Sequence, residues 1–205
     1  MRRIITIGRE FSSGGRELGK RLAEELQIAY YDKEVVDAIV KHSNLAEEYV
    51  NQVLEKNIVN YFPITISHSF SLVDYPSFEM EGKVYEAQRE AINELAKKSD
   101  CVIVGRCADY LLEELNPYRI FVYSNMDARV KRCIKKGEHG EITDERQIIK
   151  KIKKIDRERK NYYEFYTGQR WGDKVNYDLM VNTANIDIKS EIPAIATMAK
   201  AFFKE

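Results

Sequence analysis

The chain has 205 residues, 44% of them hydrophobic and 32% charged, which suits one soluble globular domain with a sizeable core. Lys+Arg and Asp+Glu balance at 33 each, so no global charge marks nucleic acid or a membrane surface as partner, and any anion site must be local. Cys101, Cys107 and Cys133 form no CxxC pair, and His42, His68 and His139 are scattered, so no metal-ligand spacing shows and the chain reads as reduced and cytoplasmic. The apolar run of Ile4, Ile5 and Ile7 is too short for a signal-peptide core, and no stretch approaches membrane-spanning length.

In chain order, residues 4–7 read as a first strand that runs into a glycine-rich turn and a helix. In that helix Leu18, Leu22 and Leu26 form one apolar stripe. A second strand covers 28–31. Residues 34–83 then break the alternation with helical patterns and an aromatic stretch, "NYFPITISHSFSLVDYPSF", marked by Pro63 and Pro76. A helix over 84–98 turns Ala87, Ala91 and Leu95 inward. Compact β-branched runs at 101–104, 119–123 and 179–182 suit strands buried on both faces. Helices are expected at 127–136 and 144–163, and over 188–203 with a start near Pro193. Strands and helices in alternation predict a three-layer α/β/α domain around a parallel sheet, a single unit over residues 1–205. Residues 34–83 and 137–174 are insertions of the kind that cover a site.

The turn after the first strand carries the chemistry. A helix starting near Gly15 aims backbone N–H groups and the positive end of its dipole at whatever binds there. Gly14 and Gly15 clear space for a phosphate, Ser12 and Ser13 can cap the helix or donate to an anion, and Arg16 adds charge on the first turn. Against the pattern GxxxxGK followed by Ser or Thr, Glu10 stands for the first glycine, Arg16 for the lysine and Glu17 for the hydroxyl. By itself the stretch also reads as a capped helix entry with no ligand. A dinucleotide site with Asp32 as its acid competes, but the GxGxxG spacing is absent.

Five ordered stretches add to this reading: "TIGREFSSGGRELGKRLAEELQIAYYDKE", "VIVGRCADYLL", "RIFVYSNMDARVKRCIKK", "KIDRERKNYYEFYTGQRWGD" and "NYDLMVNT". Together they resemble the cytidylate kinase-like proteins, a branch of the nucleoside monophosphate kinases, over nearly the whole chain apart from about residues 40–85. The resemblance implies a P-loop nucleoside triphosphate hydrolase fold with a five-stranded parallel sheet, an acceptor-binding insertion and a lid. It also implies ATP and Mg2+ as cofactors. The implied activity is ATP-dependent phosphoryl transfer to a nucleoside monophosphate, with CMP or dCMP first, so that nucleotides rather than nucleic acid or membranes are the partners.

Residue by residue, Ser12, Ser13, Gly14, Gly15, Arg16 and Glu17 fall in the donor-phosphate loop, with Arg16 in the lysine's place. Asp32 and Arg106 fall on the acceptor side. Arg129 and Arg132 match the RxxR before the lid, and Asp156 and Arg159 the lid's DxxR, so that Arg157 and Arg159 would neutralise the transferring phosphoryl group. Bland readings stand beside these. Asp32 also reads as a helix N-cap, the basic stripes as solvated faces, and Tyr162, Tyr163, Phe165, Tyr166 and Trp171 as lid packing. A nucleotide-binding sensor that has lost transfer, or a kinase of another small acceptor, are the alternative functions.

Overall fold

The computed structural model describes residues 2–55, 76–136 and 144–204. Its centre is β1 (Ile4–Arg9), flanked by β3 (Cys101–Val104) and β4 (Tyr118–Tyr123), with β2 (Ala29–Tyr31) and β5 (Leu179–Asn182) outside them. The order is β2-β3-β1-β4-β5 and every pair is parallel, as the buried β-branched runs required. Helices cover both faces. On one side α1 (Gly15–Leu26) and α8 (Ile188–Phe203) bury Leu18, Leu22, Ile192 and Ile195 against Ile5, Ile7, Val102 and Val122. On the other, α2 (Lys33–Ser43), α3 (Glu47–Glu55) and α4 (Pro76–Lys98) pack Val35, Ile39, Val50 and Ile92 against Ile4, Cys101 and Ile103. All three cysteines are free, buried thiols.

Strand limits differ from the sequence expectation by at most two residues, and three helices differ more. The helix expected over 84–98 begins at Pro76, a residue that fits a helix's first position. The one expected over 144–163 is α7 (Glu145–Thr167), started by Asp144, whose carboxylate accepts from the Arg146 N–H. And α8 begins at Ile188, with Pro193 inside it. Burial decides that case. Ile188 and Ile192 are 5% and 4% exposed, and Lys189, whose carbonyl loses its helical partner to Pro193, lies in solvent.

Two further elements complete the chain, α5 (Ala108–Leu111) after β3 and α6 (Met126–Lys136) after β4. Residues 34–55 turn out to be helical cover for the sheet. The aromatic stretch with Pro63 and His68, and His139 in the second insertion, lie outside the described residues. Tyr166 of α7 stacks on Tyr85 of α4 with centroids 4.0 Å apart and planes within 6°, so packing accounts for part of the aromatic outlay at 162–171.

Candidate active site

Parallel strands deliver their carboxyl ends to one edge of the sheet, and that edge is where the helix N-termini also gather. The turn between β1 and α1 is tied down from several sides. Glu10 donates its N–H to Val122 O at 3.0 Å and receives Ser13 Oγ on its carbonyl at 2.9 Å. Ser12 has φ +58° and gives its hydroxyl to Arg129 O at 2.9 Å; Ser13 is fully buried, and Thr183 Oγ1 donates to its carbonyl at 2.6 Å. Gly14 has φ +91°, a conformation that favours glycine, and as the N-cap of α1 it makes no side-chain bond to the first-turn N–H groups. A helix start of this kind can meet an anion.

Glu10 and Glu17, the two residues that break the usual loop pattern, both point their carboxylates at protein cations. Glu10 meets Arg129 at 3.1 Å and accepts from Ser124 N at 3.0 Å. Burial first, opposed by these bonds, pushes its carboxyl up. Glu17 is held by Arg21 one helical turn on, at 2.9 Å. It therefore sits on the outer face of α1 and adds no carboxylate to the space in front of the loop.

That space is a cavity of about 200 Å³. Its walls include Arg9, Arg16, Arg106 and Arg159, with Asp109, Glu158, Tyr163, Trp171 and Tyr177 among the remaining lining. Arg159 of α7 donates to Arg9 O at 3.2 Å and lies 5.6 Å over the Phe11 ring. Burial, then the nearby Arg106, Arg16 and Arg129 against the favourable Asp156, pushes its guanidinium down to about 10. Arg106 follows β3 in a run of three left-handed residues, Gly105 (φ +73°), Arg106 (φ +60°) and Cys107 (φ +54°). Gln88 of α4 pins this turn by donating to Arg106 O at 3.0 Å, and Tyr162 of α7 donates to Gln88 at 3.0 Å. Two adjacent left-handed residues other than glycine cost about 1–2 kcal/mol each, and the Arg106 side chain they carry lines the cavity, with Nη1 donating to Leu54 O at 3.4 Å. On the far wall Tyr163 donates to the buried Asp109 at 2.8 Å, and burial, against that bond, pushes the Asp109 carboxyl up.

The remaining expected site residues are distributed otherwise. Asp32 occupies the N-cap position of α2, yet its side chain caps nothing; it pairs with Arg16 at 2.9 Å. Arg129 is 4% exposed, pairs with both Asp156 and Glu10, and donates to Phe11 O at 2.8 Å, while Asp156 also accepts from Phe11 N at 2.7 Å. Arg132 is directed to Ser124 Oγ and the Thr183 carbonyl. Arg157 is exposed on α7 and lines no part of the cavity. Arg16, Arg106 and Arg159 are thus brought together, and Arg129, Arg132 and Asp156 form a second cluster behind the loop.

Sequence reasoning missed Arg9. It is the last residue of β1, and the carboxyl end of a parallel strand, the signal that singled out Arg106, applies equally to it.

The cavity fits the phosphates of a nucleotide: N–H groups at a helix start and several guanidiniums face it, and Arg9 Nε is buried there without a partner. The loop is poor in ligands for Mg2+. Glu17 is bound to Arg21, Ser13 is fully buried, and among the described residues no three metal-binding side chains cluster. Ser12 donates its hydroxyl to Arg129 O but keeps oxygen lone pairs, so it would hold such an ion together with phosphate oxygens and water.

Among solved structures, an uncharacterized protein from Eubacterium ventriosum matches with a TM-score of 0.69 and 26% identity over 98% of this chain and 99% of that one. Shikimate kinases share the fold at lower identity. The one from Bacteroides thetaiotaomicron gives a TM-score of 0.57 at 14% identity (99% of each chain), and the one from Acinetobacter baumannii 0.52 at 13% (98% and 94%). No curated protein sequence matches. Among the described residues no helix is long and apolar enough to cross a membrane. Residues 4–185 match the cytidylate kinase-like family, and the chain belongs to it.

Proposed function

We propose that the protein is a phosphotransferase that moves the γ-phosphoryl group of ATP to a nucleoside monophosphate, with CMP or dCMP the first acceptors to try and Mg2+ accompanying the triphosphate. The observation that carries this is the convergence of arginines from β1, α1, the β3–α5 turn and α7 on one cavity beside an uncapped helix start. In the reaction the bond from the γ-phosphorus to the bridging oxygen breaks, a bond to an acceptor phosphate oxygen forms, and the electron pair leaves with the nucleoside diphosphate. Little covalent work falls to the protein, so positioning and charge neutralisation carry the rate. The α1 N–H groups with Gly14, Gly15 and the rim residue Arg16 hold donor phosphates. Arg159 faces the group in flight, and Arg106 stands on the acceptor side, joined by Asp32 once Arg16 engages phosphate. A coupled assay of nucleoside diphosphate formation, run over a panel of monophosphates at saturating ATP and Mg2+, tests this. Turnover with a cytidine monophosphate is expected, and none with any acceptor would overturn it.

A second reading, a nucleotide-binding sensor without transfer, has one observation in its favour: Arg16, in the place of the loop lysine, is compensated by Asp32. ATP binding without turnover on any acceptor, including small hydroxylated ones, would select it.

A further inference from the structure

Phosphate loops of the usual kind carry their one long cation on the first turn of the helix, and Arg16 stands there. Its side chain is 58% exposed and its charge is met by Asp32 at 2.9 Å. Arg9, at the end of the central strand, is in the opposite condition. Its backbone lies in register with Val122 of β4 and its carbonyl accepts from Arg159 at 3.2 Å, while on the β3 side the last bond, Gly105 N to Ile7 O at 2.9 Å, lies two residues earlier. Its side chain runs through a slot that two glycines keep open. A Cβ on Gly15 would come within 2.6 Å of Arg9 Cβ, and a Cβ on Gly105 would fall inside the Arg9 guanidinium. Arg9 Nε is buried without a hydrogen-bond partner, and among the described residues no carboxylate forms an ion pair with the guanidinium. Its charged surroundings are three cations, Arg159, Arg106 and Arg16, and one carboxylate, Asp32, which pairs with Arg16 instead.

We propose that Arg9 is the phosphate-binding cation of this loop, the fork that grips the transferred phosphoryl group, while Arg16 is an outer guanidinium restrained by Asp32. Arg9 is half-buried with its Nε shut off from solvent, and burial followed by Arg159 and Arg106, against the favourable Asp32, pushes its pKa well below the usual arginine range. A tetrahedral oxyanion resolves this. It accepts the orphaned Nε–H and an Nη–H in the bidentate geometry that guanidinium favours, and it neutralises the repulsion. The fixed strand, the glycine slot and the missing partner describe a side chain organised for a ligand rather than for the core. The inference rests on the kinase reading only for the identity of the anion.

Calorimetry of the full chain with inorganic pyrophosphate and with ATP, paired with thermal melts, tests it on the wild type, Arg9→Met, Arg9→Lys and Arg16→Ala. Arg9→Met is expected to weaken pyrophosphate binding by about 10- to 100-fold, the loss of charged hydrogen bonds. Arg9→Lys should recover part of that, and Arg16→Ala should cost at least tenfold less than Arg9→Met. A purely structural arginine predicts a lower melting temperature for Arg9→Met. Relief of repulsion predicts one raised by about 2–4 °C. Pyrophosphate binding by Arg9→Met within threefold of wild type, no binding by the wild type, or a lowered melting point in both Arg9 variants would each overturn the inference. Undiminished transfer by Arg9→Met overturns it while leaving the kinase reading intact. Arg9-dependent pyrophosphate binding without transfer to any acceptor upholds it while the kinase reading falls.

Discussion

Arg129 and Arg9 are arginines on either side of the same loop, and they live under opposite conditions. Arg129 has Asp156 on one side, Glu10 at 3.1 Å on the other and the Phe11 carbonyl at 2.8 Å. Arg9 has Arg106 and Arg159 for neighbours and a buried Nε with nothing to donate to. A saturated cation holds a fold together, whereas an unsaturated one is held by the fold at a cost and awaits a ligand. Both are single letters in a chain whose charges balance, and only the partners distinguish them.

The largest effect that would sharpen this contrast is on stability. Arg129→Ala strands Asp156 and Glu10 without their cation and is expected to cost about 3–5 kcal/mol in urea denaturation. A cost under about 1 kcal/mol would show that the cluster behind the loop is not structural. Next comes Arg159→Ala, for which kcat/KM is expected to fall by about 10²–10³ with a melting temperature at or above that of the wild type. An equal loss of stability would erase the distinction between the two groups. Gly105→Ala should be intermediate, because it costs about 1–2 kcal/mol of left-handed strain and drives the Arg9 fork out of its slot. Calorimetry should then show nucleotide affinity falling with it.

The smallest effect lies far from the cavity, at the foot of β1. Burial pushes the Asp100 carboxyl up, but Arg3 donates to it from Nε at 2.7 Å and from its backbone N–H at 3.1 Å, and the net result is a lowered pKa. A carboxyl lowered in the folded state stabilises above its unfolded value of about 3.9 and ceases to do so as pH falls through the lower, folded one. Asp100→Asn should therefore cost about 0.2–1 kcal/mol near neutral pH and nothing near pH ~2. A cost independent of pH would assign the contact to neutral hydrogen bonding.

The sheet was largely legible in the chain because buried parallel strands are written as compact β-branched runs, and 101–104 and 179–182 match their strands residue for residue. Helix starts were less so. Pro193 misled because proline's local preference for a first turn was outweighed by burial of Ile188 and Ile192, which sequence does not display. Within the site, the glycines and the GR after β3 were readable, but the fate of each charge was not. Glu17 stands in the place of the loop's hydroxyl, and nothing in the one-dimensional pattern tells that Arg21 holds its carboxylate. Arg9 went unnoticed because loop templates are indexed on glycine-to-lysine spacing, and no template position asks about the strand's own last residue.

Asp156 has a mechanical role in the fold. It is bonded at once to Phe11 N and to Arg129, near the middle of the 23-residue helix α7. That makes it a fulcrum. A rigid rotation of α7 about this point would move Arg159 little, since it lies about 4.5 Å along the axis, and would move Glu145 far more, since it lies about 16 Å away. The helix is in effect a beam with equal arms, one held on α6 by Ile148 and Ile152 and the other carrying Arg159 close to the pivot, so the guanidinium's position is the part least disturbed by movement of the helix ends.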